Sequence, residues 1–491
     1  MRMRNIFVVV TAFGFAGALA CTTTDVTPVD LGPSGLASDG SPSGEDATVD
    51  APNCGPPSDD ATTDASDDAS GHGSDDASAD APNPDDASAD AGSGDGSDGG
   101  TACVCNGDAL VCPSVDGGSV TACALGCSEG RCLRLTPSNL PATTCDRRAT
   151  KDLFVSPDGT MLDTNTGCDA VVVQGAGAPD ICVFIYDKVT IQGPLSVRPS
   201  VSSSSVNRAL AIVATTEMMV NGAIDVAAHT PDNSVPTAGP GAPDPRGAGG
   251  ASEGAGHAFP GGASAANETQ GGAAYGTVTG VPLLAGAAGG DSLWVDVFQG
   301  GPGGQGGGAL QLVSCGGFTL AQFGKINAGG SGGVGGTSAT RGPFAPEGAG
   351  GGSGGTILIE ATQIAIAGDL AANGGGGGSG GGSIDLATNS RCSGMVNGAD
   401  ADVSGGAVSG GTPPSGTSGA AGLGGHGGAV VHVFGQSGRS PTCTLVNHAG
   451  GGGGGGAEGI IRYNVRAGTR PTFGSTAIVG SDDSVGAVAT H

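Results

Sequence analysis

The chain carries short blocks in which apolar residues alternate with small or polar ones, and long runs of glycine separate the blocks. The pattern apolar-x-apolar-x-Gly-x-apolar occurs at 189–195, 218–224 and 364–370, and a variant with two extra residues spans 318–326. Alternation with a period of two predicts β-strands, and the glycine predicts a bend between two of them. A further alternating pair precedes each block, so each unit is expected to hold three short strands.

One such unit has nothing to pack against, whereas several stacked units bury a continuous apolar column. We therefore predict an all-β fold of the right-handed parallel β-helix or solenoid type, with long glycine-rich loops between its rungs. Segments 429–435 and 459–465 fit the first strand of the unit. The residues expected to line the interior are Val189, Ile191, Leu195, Leu210, Ile212, Met218, Val220, Ile224, Leu310, Leu312, Phe318, Leu320, Ile326, Ile357, Ile359, Ile364, Ile366 and Leu370.

An antiparallel β-sandwich is the alternative interpretation, because the strand spacing alone would allow it. The recurrence of the same glycine-containing corner in separate blocks favours the parallel stack. In a stack, identical corners fall above one another.

The glycine runs vary in length, but each leaves the solenoid at one corresponding place, after the third strand of a unit, and returns before the first strand of the next. Two outcomes are open for them. They are either mobile, because ordering glycine costs more entropy than ordering any other residue, or they lie side by side as polyproline-II-like strands. In composition they resemble mycobacterial PGRS domains and some phage tail-tip adhesins, and that resemblance implies surface display or recognition.

The N-terminus predicts export. Arg2 and Arg4 precede an apolar run that is too short to span a membrane comfortably, and small residues follow it up to Cys21. The stretch GALAC resembles the lipobox of bacterial lipoproteins, which implies a signal peptide over 1–20 and lipidation of Cys21. The alternative is an ordinary secretory signal cut near Ala20. Either interpretation places the protein in the envelope or outside the cell. The residue after Cys21 is Thr22 rather than Asp, which resembles the outer-membrane sorting signal of bacterial lipoproteins and implies an outer-membrane or cell-surface anchor.

Charge is concentrated in residues 21–100. Between Thr22 and Gly100 there are 19 Asp and Glu residues and no Lys or Arg, in a chain whose net charge is −28. Self-repulsion and a low apolar content predict a disordered, extended tether. Nucleic acid is excluded as a partner, because phosphate binding needs clustered basic residues. The expected partners are the membrane, through the N-terminal lipid, and polysaccharide or other surface components.

Fourteen cysteines indicate a disulfide-containing exported protein. Six of them define a small module over 101–135, with fifteen pairings open: Cys103, Cys105, Cys112, Cys123, Cys127 and Cys132. Zinc binding through Cys123 and Cys127 is the alternative. The stretch ALGCSEGRC resembles Cys-rich modules in surface lipoproteins of large-genome Gram-negative bacteria.

The remaining cysteines are expected to form further staples. Cys392 with Cys443 is one candidate pair, and two of Cys145, Cys168 and Cys182 form another. The number of mature cysteines other than Cys21 is odd, and Cys54 in the tether is the candidate for an unpaired or intermolecular thiol.

The predicted order of parts is therefore signal, tether, Cys-rich module, solenoid over 145–475 and a C-terminal tail over 476–491. The acids of the solenoid form no paired pattern of the kind a glycosidase requires, and no cofactor or metal site is predicted. We expect a non-enzymatic, lipid-anchored surface protein for adhesion or envelope contact. Two alternatives stay open: a carbohydrate-active β-helix enzyme of the lyase or hydrolase type, and a polyglycine-type recognition domain.

Overall fold

The chain divides into two units, Met1–Gly94 and Asp95–His491, and every residue described below belongs to the second. A computed structural model describes residues 102–491 except 114–117, 176, 199–206, 231–236, 243–246, 266–270, 293–299, 338–344, 386–389, 393, 404–407, 413–419, 430–433, 443–449 and 481–482. The signal peptide, Cys21, the acidic tether with Cys54, most of the strand expected at 429–435, and Cys443 lie outside the described residues. For Cys392 only the backbone is described.

The regular secondary structure of the described residues consists of β-strands, with one short 3-10 helix. The first nine strands are β1 (Val104–Asn106), β2 (Ala109–Cys112), β3 (Ser119–Ala122), β4 (Cys127–Ser128), β5 (Arg131–Cys132), β6 (Leu135–Thr136), β7 (Leu153–Val155), β8 (Thr160–Asp163) and β9 (Ala170–Val172), with the 3-10 helix at Ala142–Asp146. There follow β10 (Ile181–Tyr186), β11 (Val189–Ile191), β12 (Pro194–Arg198), β13 (Ala209–Ala214), β14 (Met218–Val220), β15 (Ala223–Asp225), β16 (Ala309–Leu320), β17 (Lys325–Asn327), β18 (Thr356–Ile366) and β19 (Asp369–Ala371). The last are β20 (Ser383–Asp385), β21 (Ser390–Cys392), β22 (Ile460–Val465), β23 (Thr472–Phe473), β24 (Ile478–Val479), β25 (Asp483–Ala487) and β26 (Ala489–Thr490).

Three parallel ladders organise most of these strands. The first ladder is β10-β13-β16-β18-β22-β25, and β9 pairs antiparallel with its first strand. The second ladder is β7-β11-β14-β16-β18-β23, in which the long strands β16 and β18 take part with their C-terminal ends. The third ladder is the six-stranded sheet β8-β12-β15-β17-β19-β24. Parallel pairing of blocks far apart in the chain is thus the dominant contact.

The register of the second ladder brings equivalent positions of the repeat together. Ile191 pairs with Val220, Val220 with Leu320, and Leu320 with Ile366. In the third ladder, Ile224 pairs with Ile326. All eighteen residues expected to line the interior are at most 3% exposed and belong to one apolar cluster. The antiparallel sandwich is therefore wrong for these blocks.

The other face of the first ladder is also buried. Leu125, Leu135, Leu140 and Cys145 form a second apolar cluster with the side chains of β10 and β13 that point away from the first cluster. Strands buried on both faces are expected to be apolar throughout, and β10 and β13 are. The Cys-rich module and the segment after it thus cover a sheet rather than standing apart from it.

The C-terminal residues belong to the sheets as well. Residues 476–491, expected to be a tail, contribute β24 to the third ladder, β25 to the first and β26 to a pairing with β6. The tail boundary at 475 is therefore too early. Val488 packs in the second apolar cluster, which explains why this segment is held.

The glycine-rich segments pack side by side through backbone hydrogen bonds. Segment 372–382 shows the pattern most fully: every third N–H donates to the same neighbour, at 2.8–3.0 Å. The carbonyls of 422–428 accept from the first set of N–H groups, those of Gly374, Gly377 and Gly380. The carbonyls of 346–352 accept from the second set, Gly375, Gly378 and Gly381, and those of 396–399 accept from the third, Gly376 and Ser379. A threefold period is that of a polyproline-II helix. Of the two outcomes expected from the sequence, mobile loops or polyproline-II-like strands side by side, the second is observed for this segment.

The same segment accepts hydrogen bonds from three further neighbours. Its carbonyls receive N–H groups from 450–456, from 330–336 and from Gly411. It is therefore surrounded by six backbone segments, and its residues are buried. Glycine is required here for close approach rather than for unusual torsion, because a Cβ on Gly377 would overlap the carbonyl oxygen of Gly453.

We predict that Gly377→Ala destabilises the protein by about 1–3 kcal/mol or more, because the added methyl must displace backbone that has no room to move. The matched control is Gly317→Ala, where a Cβ meets nothing within 4 Å. Its effect should stay within about 0.5 kcal/mol. Urea denaturation of the two variants measures the difference. Equal midpoints would contradict close packing of the glycine layer.

Five disulfides are present in the part of the chain that is described. The module contains Cys103–Cys112, Cys105–Cys127 and Cys123–Cys132; the other two are Cys145–Cys315 and Cys168–Cys182. The zinc interpretation of Cys123 and Cys127 is wrong, because both sulfurs are bonded to other cysteines. Cys145–Cys315 ties the covering segment to β16.

We predict that removing Cys145–Cys315 costs more stability than removing Cys168–Cys182. The two bonds close loops with sequence separations of 170 and 14 residues. The loop-closure entropy of the unfolded chain alone then predicts a stabilisation of about 5 kcal/mol for Cys145–Cys315 and about 3 kcal/mol for Cys168–Cys182. Thermal unfolding of the two Cys→Ala double variants tests the order. A larger loss for the short loop would show that local packing, not loop closure, decides.

Candidate functional site

The residues expected to line the interior are too deeply buried to meet a partner, so a functional surface must be sought among the outward side chains. The acids of the repeat are scattered, as the sequence indicates. Asp225 lies on the outward side of the third ladder, where its carboxylate is 3.1 Å from Nε2 of His229 and raises the pKa of that histidine. Within the described residues, no group of three His, Cys, Asp or Glu side chains is placed to hold a metal ion.

Glu360 is fully buried, and its carboxylate is surrounded by protein donors. It accepts hydrogen bonds from Ser138 Oγ at 2.6 Å, Gln311 Nε2 at 2.6 Å and Asn464 Nδ2 at 3.0 Å. A buried charge requires such partners. Because Ser138 belongs to the covering segment, this network fixes that segment to the first ladder. Glu360 is thus placed for stability rather than for contact with a substrate.

The second ladder has an outward face that remains exposed. Its central row runs across six strands in register, and we call it the short-ladder face: Phe154, Thr190, Met219, Thr319, Ala365 and Thr472. Phe154 is 60% exposed and Met219 is 39% exposed. Neighbouring strands of a sheet lie about 4.8 Å apart, so this row is a regular, rigid array of small, hydroxyl and apolar groups.

The short-ladder face itself carries no charge. At its rim, Lys188 and Glu217 form an ion pair, and the hydrogen bond and charge of Glu217 raise the pKa of Lys188. Asp152 lies beside them and accepts the backbone N–H of Lys188 at 3.2 Å. The chain has a net charge of −28, but this row carries none of it. An uncharged polymer can therefore contact the row without removing water from charged side chains, which would be costly.

A second exposed feature lies in the glycine-rich layer. Phe259 and Phe434 form an edge-to-face pair with ring centroids 5.4 Å apart, and Phe434 is 56% exposed. Beside Phe259 is a cavity of about 100 Å³, which we call the aromatic cleft; it is lined by Ala258, Phe259, Gly276, Val278, Gly459, Ile460, Asp483 and Ser484. Ser484 Oγ donates to the carbonyl of Val278 at 2.9 Å and fixes one wall.

Sequence reasoning missed this cleft. Phe259 and Phe434 are 175 positions apart within glycine-rich segments, where no periodicity marks the residues that will meet. The available signal was the rarity of aromatic residues there, since large apolar side chains in an otherwise side-chain-poor layer must pack together or be exposed.

Comparison with protein-family models, with curated proteins and with solved structures found no match to this chain. In the part of the chain that the structure covers, no helix is long and apolar enough to cross a membrane.

Proposed function

We propose that this chain is a non-enzymatic, lipid-anchored protein of the bacterial cell surface that uses the short-ladder face for adhesion or envelope contact. Cys21 carries the lipid, and the acidic residues up to 100 hold the folded part away from the outer membrane. The three ladders close into a right-handed parallel β-helix, the glycine segments being its inter-rung loops.

Two observations support an exported location. The described residues contain five disulfides, which form and persist in oxidising compartments. The lipobox-like GALAC ends at Cys21 and follows a basic and apolar start. A single acyl chain binds membranes only marginally, so multiple acylation of the terminal cysteine is part of the proposal.

The observation that carries the adhesive role is the exposed, uncharged row on the second ladder. Large exposed apolar side chains such as Phe154 and Met219 are a typical feature of interaction surfaces. The row stands on strands whose other side is buried except at the ends of the ladder, so its side chains are presented on a rigid base. Surface polysaccharide or another uncharged envelope component is the proposed partner.

A second candidate is a polyglycine-type recognition domain. The observation that favours it is the contact between Phe259 and Phe434 beside the aromatic cleft, which joins two glycine-rich segments that are distant in the chain. In this role the hydrogen-bonded glycine layer is the scaffold, and the few large side chains it carries supply the contacts.

The anchor is tested by metabolic labelling with a palmitate analogue in a lipoprotein-processing bacterial host. The wild-type chain is expected to incorporate label and to fractionate with membranes. Cys21→Ser should lose both properties, because the thiol is the acylated group. Cys54→Ser is the matched control, and equal labelling of wild type and Cys21→Ser would rule out the lipid anchor.

The adhesive face is tested by replacing both apolar side chains in Phe154→Ser/Met219→Ser. Retention of cells that display the full chain on surfaces coated with neutral envelope polysaccharide should fall about tenfold, a loss typical of removing interface anchors. Phe434→Ser removes an equally exposed phenylalanine elsewhere and should leave retention unchanged. Loss in the control alone would transfer the role to the glycine layer, and release of new reducing ends from the polysaccharide would contradict the non-enzymatic role.

A further inference from the structure

The stack of ladders has two ends, and β23, β24 and β25 form the C-terminal one. Within the described part of the chain each of these strands pairs on one side only: β23 with β18, β24 with β19 and β25 with β22. An uncovered strand edge is a template for pairing with another chain. The C-terminal end of the stack is therefore a surface that can accept further strands.

Side chains that face the interior are exposed at this end. Residues paired in register point to the same side of a sheet. Phe473 pairs with Ile366 and is 47% exposed, whereas Ile366 is 1% exposed. Val485 pairs with Tyr463 and is 44% exposed, whereas Tyr463 is fully buried. The apolar column thus stops here without a cover among the described residues. We call the inward side chains of the last rung the open end: Phe473, Val479, Val485 and Ala487.

The opposite end of the stack is covered over two of its three ladders. Val155 of β7 is fully buried, and Leu162 of β8 is 9% exposed. Cys168, which is bonded to Cys182, packs against the apolar column beside them. On the first ladder, Val171 of β9 remains 45% exposed. A second copy stacked head to tail would meet this cover, so it could not extend the second and third ladders.

The rest of the chain and the charges of β25 restrict what can cover the open end. Residues 22–100 carry 19 acidic side chains and few apolar ones, so they offer little to bury. A second open end offers matching apolar side chains. When two β25 strands pair antiparallel about Val485, Asp483 of each lies opposite Ala487 of the other, so no like charges are directly opposed.

We infer that two copies of this chain associate through their open ends, with their β25 strands antiparallel and Val485 on the two-fold axis. Phe473 and Val485 of each copy then cover the apolar column of the other, and two uncovered strand edges become an interior pair. A two-fold interface uses the same patch on both copies, so association stops at a dimer. The inference uses neither the lipid anchor nor the adhesive role of the short-ladder face.

Sedimentation velocity over a concentration series tests the association. The purified full chain carries Cys21→Ser and Cys54→Ser, so that neither a lipid nor a tether thiol joins two copies. A monomer–dimer equilibrium without larger species is expected. Val485→Lys places two like charges on the axis and should weaken the dimer at least about tenfold, as the loss of a central interface residue does. A monomer at every concentration would overturn the inference.

Two further variants serve as checks. Phe473→Ser, also at the open end, should weaken the dimer, and far-UV circular dichroism confirms that it and Val485→Lys are folded. Phe154→Ser removes an exposed apolar side chain at the opposite end and should leave the dimer unchanged. An unchanged dimer in both folded open-end variants, or an equal loss in Phe154→Ser, would overturn the assignment of the interface.

An introduced cysteine tests the symmetry. In the same background Val485→Cys should form a disulfide-linked dimer under mild oxidation, because the axis brings the two new thiols together. Phe154→Cys is the matched control and should stay monomeric. A covalent dimer that forms only when the Val485→Cys and Phe154→Cys chains are mixed would show head-to-tail stacking and would overturn the two-fold arrangement.

The chain's own acidic segment is the remaining candidate for the open end. A peptide with the sequence of residues 22–100, added in excess to the full chain, should leave the dimer intact, because it has few apolar side chains to bury against Phe473 and Val485. Dissociation of the dimer by this peptide would show that the tether occupies the open end, and would overturn the assignment of a second copy.

Discussion

The whole structure depends on one requirement: a buried backbone N–H or C=O must find a hydrogen-bond partner. The chain meets it in two ways. In the ladders, parallel strands pair in register and their side chains fill an apolar core. In the glycine layer, the backbone itself fills the space, and segment 372–382 forms hydrogen bonds with six neighbouring segments. Glycine has no side chain to bury, so close contact between backbones replaces side-chain packing in this layer.

The ladders and the glycine layer are joined at corresponding positions of the repeat. Each of the three long glycine-rich insertions starts after a third-ladder strand (β15, β17 or β19) and ends at a first-ladder strand (β16, β18 or β22), so the ladders fix the ends of the layer. For example, 372–382 follows β19, and 345–355 leads into β18. The ordering entropy of so many glycines is large, and the anchored ends reduce the conformations that each segment can explore.

Much of the ladder architecture can be predicted from the sequence, because period-two alternation and the recurring glycine-containing corner mark the strands and the bends directly. Ile191, Val220, Leu320 and Ile366 align as the pattern indicates. What cannot be read is contact between unlike segments. Three such contacts arise from tertiary packing, for which a single sequence offers no local pattern. Leu135 and Leu140 pack against β10 and β13, Cys145 bonds to Cys315, and Phe259 contacts Phe434.

The Cys145–Cys315 bond carries a consequence for how the molecule matures. Cys145 is synthesised 170 residues before Cys315. During that interval Cys145 has no native partner, although Cys168 and Cys182 follow it closely in the chain. Correct pairing therefore requires the growing stack to present Cys315 at the right place, which makes late oxidation a checkpoint on assembly of the ladders.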